Sequence, residues 1–179
     1  MNILFCGDEN AQDGVLISTL SLIKNSGAQE LHLYILTMEA HSDERKYHPF
    51  SQHAADFLRS LVKKANPNST VELIDCTKLF EQEPPTANMN TRFTPYAMLR
   101  LFADQLPQIP DRILYLDDDI VIRGDITTFY NEDITGIELV GVLDYWGRFF
   151  FHNLKTKRAF DYLNSGVLLL NMKKIKQTD

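Results

Sequence analysis

The sequence predicts an α/β sandwich built on a mainly parallel sheet. Short apolar runs alternate along the chain with amphipathic helical stretches, the helical stretches stop on turn residues, and several apolar runs lead straight into Gly or Asp. The run Ile3 to Gly7 predicts a first buried strand that stops at a Gly-Asp loop. Val15, Leu16, Thr19, Leu20 and Ile23 recur at helical spacing, and Asn25-Ser26-Gly27 closes that helix. Leu31 to Leu36 is the second strand. A long helix follows from about Tyr47, with Phe50, Ala54, Phe57, Leu58, Leu61, Val62 and Ala65 on one face, and Pro67-Asn68 stops it. Val71 to Ile74 is the third strand. Glu81 to Asn88 has no period and two prolines, so it reads as a long loop of the kind that carries function. A helix over Tyr96 to Asp104 comes next, then the strand Arg112 to Leu116 running into Asp117-Asp118-Asp119. Leu139 to Leu143 and Val167 to Leu170 read as further strands. Asn171 to Lys176 looks like a strand passing into a helix that has barely begun, as in the N-terminal portion of something longer. No repeat or internal boundary interrupts residues 1–179, which read as one domain.

Composition narrows the function classes. A net charge of −6 repels phosphate backbones, which argues against a nucleic-acid partner. The same charge makes a nucleotide ligand awkward unless a cation accompanies it. Basic residues crowd the last part of the chain at Lys155, Lys157, Arg158, Lys173, Lys174 and Lys176, which the simplest reading makes a solvated face. No apolar run reaches the ~20 residues of a membrane helix, and the apolar N-terminus lacks a basic leader, so it reads as a strand rather than a signal peptide. The two cysteines, Cys6 and Cys76, make no disulfide framework and read as buried inert thiols in a reducing, cytoplasmic compartment.

The acidic run carries the chemistry. In an extended chain residues i and i+2 share a side, so Asp117 and Asp119 would converge while Asp118 faces away. Converging carboxylates repel unless a cation or proton intervenes, and oxygen ligands favour Mg²⁺ or Mn²⁺. Such an ion could neutralise a diphosphate and act as a Lewis acid on a leaving nucleoside diphosphate. The plain alternatives are a surface acidic turn or a helix N-terminus rich in Asp; the apolar Ile120-Val121-Ile122 that follows argues against a surface turn. Asp117-x-Asp119-x-Val121 after an apolar strand also fits the haloacid dehalogenase-like phosphatase pattern, in which the first Asp is a nucleophile. That motif normally opens its domain, whereas 116 residues precede it here. His41, His48 and His53 are irregularly spaced and have no Cys pair beside them, so they do not read as a zinc site. The aromatic run Trp146 to Phe151 reads as core packing or a lid, with acceptor stacking as an alternative.

Three blocks in this order resemble glycosyltransferase family 8, the bacterial lipopolysaccharide galactosyl- and glucosyltransferases and their glycogenin relatives. They are Asn2 to Asn10; Tyr96 to Leu101 followed by Tyr115 to Asp119; and Asn164 to Asn171. The resemblance runs over essentially the whole chain. It implies a GT-A-like (Rossmann-like) α/β/α sandwich forming a single nucleotide-sugar-binding domain over residues 1–179. It also implies a UDP-glucose or UDP-galactose donor, Mn²⁺ (or Mg²⁺), and retaining transfer of the hexose to a saccharide or glycolipid acceptor. The place of action would be cytoplasmic, including the inner membrane face.

By position, the family pattern puts Cys6, Asp8 and Asn10 in the uridine-binding loop and Arg100 at the diphosphate or sugar. It puts Asp117, Asp118 and Asp119 at the donor, with Asp117 and Asp119 as the metal ligands, and Asp144 and Asn164 as catalytic residues holding donor-sugar or acceptor hydroxyls. Each residue also has an ordinary reading. Asp8 could cap the next helix, Arg100 could be a solvated helix residue, Asn164 could be a turn residue, and Asp144 a loop aspartate. Two features depart from the family pattern. Ala11 stands where an aromatic residue often stacks on uracil. The family's third metal ligand, a downstream histidine, has no counterpart before Asp179. The second departure keeps open a chain that binds donor without turning it over.

Overall fold

The structure is a computed structural model that describes residues 1–27, 29–41, 46–85, 95–144 and 163–178. Among the described residues six strands form the central sheet: β1 (Asn2–Cys6), β2 (His32–Thr37), β5 (Thr70–Asp75), β6 (Arg112–Leu116), β7 (Leu139–Leu143) and β8 (Leu163–Asn171). Two short strands, β3 (Ala40–His41) and β4 (Lys46–Tyr47), pair separately and antiparallel. The sheet order is β5-β2-β1-β6-β8-β7. Pairings through β5, β2, β1 and β6 are parallel. β8 runs against both β6 and β7. Five strands therefore share one direction, and β8 alone reverses it.

Side-chain alternation splits the core into two layers. Ile3, Phe5, Leu33, Ile35, Leu114 and Leu116 face helices α1 (Gln12–Asn25) and α2 (Gln52–Ala65). Leu4, Cys6, Leu36, Ile113 and Tyr115 face the helical segment Pro95–Gln105. Both faces of β1 and β6 are covered, which is why these strands read as continuous apolar runs. The chain runs outward from β1 to β2 and β5, then returns to place β6 on the other side of β1. That reversal between β1 and β6 is the crevice where open α/β sheets bind ligands, at the carboxyl ends of the strands.

Two helices differ from expectation. The second begins at Gln52, not near Tyr47: Tyr47 lies in β4, Pro49 cannot donate to a helix ladder, and the Ser51 hydroxyl accepts from Ala54 N at 3.2 Å as the N-cap. Phe50 is buried ahead of the helix rather than on its face. Pro95–Gln105 is a 3₁₀ helix of 11 residues, long for that geometry. At three residues per turn Tyr96, Leu99 and Phe102 stack on one side, and all three are buried. The expected loop from Glu81 starts inside a short helix, Thr77–Gln82, and its part from residue 86 lies outside the described residues. So do Lys155, Lys157, Arg158 and the aromatic run Trp146 to Phe151.

Candidate functional site

The site assembles at one edge of the sheet because of strand direction. β1, β6 and β7 all end there, and β8, being reversed, begins there. Gly7 to Asn10, Asp117 to Asp119, Asp144 and Asn164 thus leave the sheet on the same side although 156 positions separate Asp8 from Asn164.

The first loop is held tightly. Gly7 N donates to Leu36 O at 3.0 Å, and Glu9 N donates to His48 O at 3.0 Å. Asp8 is buried, and its carboxylate accepts from Asn10 N at 2.9 Å and from Asn10 Nδ2 at 3.1 Å, capping the 3₁₀ turn Glu9–Ala11. The capping role is therefore real, and the Asn10 amide is oriented by it. Ala11 is buried against Gly7, where a Cβ would come within 2.4 Å of the Ala11 Cβ. Its side chain points into the packing between the loop and α1, so the residue cannot stack on a base. Cys6 lies behind the loop, and burial pushes its thiol well up, with the nearby Arg100 opposing. Burial likewise pushes the Cys76 thiol up to about 11. Both sulfurs stay protonated and unreactive near neutrality.

The acidic run is not extended. β6 ends at Leu116, and Ile120 N donates back to Asp117 O at 3.3 Å, so Asp117 to Ile120 form a turn. The alternation that was to bring Asp117 and Asp119 together and send Asp118 away does not operate there. Asp118 instead packs against α1, where a Cβ on Gly14 would stand 2.5 Å from Asp118 O. Its carboxyl is raised above the usual range by burial first, then by Asp119, Asp117 and Asp8. The segment beyond is fastened to α1: Ile122 N donates to Ser21 Oγ at 2.9 Å, and Asn25 Nδ2 donates to Ile122 O at 2.8 Å.

Alternation does operate one step earlier. Tyr115 and Asp117 share a side of the strand, and the buried Tyr115 hydroxyl donates to Asp117 Oδ1 at 2.5 Å. Burial, foremost, holds that hydroxyl far above its ordinary range, so it remains a donor. The Arg100 guanidinium lies over the Tyr115 ring at 4.8 Å, donates to Ser165 O at 2.9 Å, and stands 3.8 Å from Asp117 Oδ1. Arg100 is thus not a freely solvated arginine. Across the sheet, Asp117 N donates to Gly166 O at 2.9 Å, and Asn164 Oδ1 accepts from Gly166 N at 2.8 Å. A Cβ on Gly166 would stand 2.6 Å from Asp117 Oδ2 and 3.1 Å from Asn164 Oδ1. Asp144 sits just past the end of β7. Sequence reasoning assigned no role to Tyr115, Ser165 or Gly166; the Tyr115/Asp117 spacing inside the strand was the available signal.

The donor set suits a hard divalent cation. Carboxylate oxygens are the ligands such ions prefer, and the repulsion from Asp119, Asp117 and Asp8, which adds to burial in raising the Asp118 carboxyl, is relieved by positive charge. Among the described residues no three His, Cys, Asp or Glu side chains group into a protein-only metal site. One or two carboxylates completed by phosphate and water is the usual arrangement for Mg²⁺. His48 and His53 are exposed, and His48 touches the first loop through its backbone, its carbonyl accepting from Glu9 N. A cavity of about 200 Å³ is lined mostly by apolar side chains, Leu101, Leu139, Leu168, Leu170, Met172 and Ile175, with Arg100 and Asp104 at its wall.

Comparison with known proteins gives a consistent result. The family described as glycosyl transferase family 8 matches residues 2–179. The lipopolysaccharide 1,2-glucosyltransferase of Escherichia coli (strain K12) is 29% identical over 184 residues, covering 97% of this chain and 48% of that protein. The lipopolysaccharide 1,3-galactosyltransferase of Salmonella typhimurium (strain LT2) is 25% identical over 176 residues, covering 96% of this chain and 48% of that protein. The crystal structure of the galactosyltransferase LgtC in complex with donor and acceptor sugar analogs matches with a TM-score of 0.76 at 23% identity, over 100% of this chain and 60% of that one. That likeness establishes the GT-A fold. The chain spans about half the length of the curated relatives it matches.

Proposed function

The chain belongs to glycosyltransferase family 8, and from that premise we propose that residues 1–179 form the donor-binding unit of a retaining hexosyltransferase. In this reading the donor is UDP-glucose or UDP-galactose, the cation is Mn²⁺ or Mg²⁺, and the acceptor is a saccharide or glycolipid. The supporting observation is the gathering, at the β1/β6 crevice, of a hydrogen-bonding loop, an acidic turn and an arginine. The family match over residues 2–179 displaces the phosphatase reading.

The residues divide the work. The Asp8–Asn10 loop offers a fixed polar surface to the uracil and ribose, and Cys6 packs behind it. Asp117 and Asp119 would hold the cation, which when bound supplies a Lewis acid to the departing UDP. Asp118 contributes negative charge to the same edge and draws the cation in. Arg100, held by Ser165 O and the Tyr115 ring, presents a fixed positive charge toward the diphosphate or sugar. Asn164 has its carbonyl oxygen committed to Gly166 N, so its amide NH₂ is the group that can donate to a sugar hydroxyl. Asp144, at the same edge, would accept from another.

Saturation-transfer NMR tests this reading. UDP-glucose or UDP-galactose with Mg²⁺ should show saturation at the uracil and ribose protons, and ADP-glucose should not. Equal transfer to both nucleotides would refute a uridine loop at Asp8 to Asn10.

A further inference from the structure

We propose that Tyr115 is a positioning residue for the proposed cation site, holding the Asp117 carboxylate in one orientation through its buried hydroxyl. The inference rests on the reading of Asp117 as a metal ligand. Asp117 is the first residue past β6, and its side chain is 37% exposed, open enough to rotate toward solvent. Two contacts oppose that rotation. Tyr115 OH donates to Oδ1. On the other side Oδ2 lies so near Gly166 that a Cβ there would meet it at 2.6 Å. One oxygen is tethered and the other lies against Gly166, which orients the carboxylate.

The tether is itself rigid. Tyr115 is 1% exposed and packed within the buried cluster under the Pro95–Gln105 segment, so its ring cannot follow a wandering carboxylate. The face of that ring also carries the Arg100 guanidinium. The same aromatic side chain thereby sets the spacing between the proposed cation ligand and the nearest fixed positive charge. Partners that orient a metal ligand in this way commonly cost about 10- to 100-fold in metal affinity when removed.

Tyr115→Phe keeps the ring and the Arg100 stacking and removes only the hydroxyl. The crystal structure of the variant should show the Asp117 carboxylate rotated or in more than one rotamer, with Arg100 still on the ring. Mn²⁺ affinity in the presence of UDP, read by the EPR signal of free Mn²⁺, should fall about 10- to 100-fold. An unmoved carboxylate or an unchanged Mn²⁺ affinity would each overturn the proposal. If the parent chain fails to bind Mn²⁺ with UDP at all, the cation site itself is wrong. The rotamer of Asp117 in Tyr115→Phe then still decides, on its own, whether Tyr115 positions that side chain.

Discussion

Tyr115 and Arg100 show how a short stretch of side chains turns a strand end into a charged site. Arg100 reaches from the 3₁₀ segment to Ser165 O and to within 3.8 Å of Asp117. Arg100→Ala should weaken UDP-sugar binding by about 1–3 kcal/mol, the range for a hydrogen bond to a charged group, as measured by calorimetry; unchanged affinity would remove Arg100 from the donor site. Asp118 makes a different prediction. Its carboxyl is raised in the folded state by burial and by its acidic neighbours, so folding favours the protonated form. The resulting destabilisation is absent below the ordinary carboxylate range and grows as pH rises through it. Asp118→Asn should therefore melt higher than the parent near pH 7 and at the same temperature near pH 3, in the absence of metal. The gain should stay under about 1 kcal/mol because the group is only partly buried. A lower melting temperature at neutral pH would contradict the crowding.

At the scale of elements, strand alternation was legible and turn geometry was not. All six sheet strands were found within a residue or two, except that β8 starts at Leu163, four residues before the apolar run Val167 to Leu170. Its first residues carry polar Asn164 and Ser165 and no apolar signal. The 3₁₀ segment was read as an ordinary helix because Tyr96, Leu99 and Phe102 satisfy an i, i+3 pattern common to both geometries. The acidic run was placed correctly at the end of β6. Its orientation differs from the extended reading because the chain turns after Leu116 and packs the Asp118 backbone against Gly14 of α1. That packing is testable. Gly14→Ala would drive a Cβ to 2.5 Å from the Asp118 carbonyl oxygen, a backbone atom with little room to yield. A loss of about 1–3 kcal/mol is expected, as for other overpacked sites, and denaturant melting without loss would show that α1 and the acidic turn are looser than the structure has them.

For the whole molecule, the decisive feature is topological. The reversal between β1 and β6 brings Asp8 and Asp117 to one crevice, and no local pattern announces which strands become neighbours. The resemblance implied a GT-A-like sandwich without a strand order, and the family match and the fold agree with that sandwich. The curated relatives are about twice as long as this chain, so donor binding by residues 1–179 and transfer by a whole protein are separate proposals. The measurement that tests the account most directly is calorimetric titration of UDP into this chain with Mn²⁺ and with EDTA, repeated for Asp117→Asn and Asp119→Asn. The account predicts binding by the parent only with Mn²⁺, and its loss in both variants. UDP binding of equal affinity in EDTA, or binding untouched by both substitutions, would contradict the assignment of the acidic turn as the cation and diphosphate site.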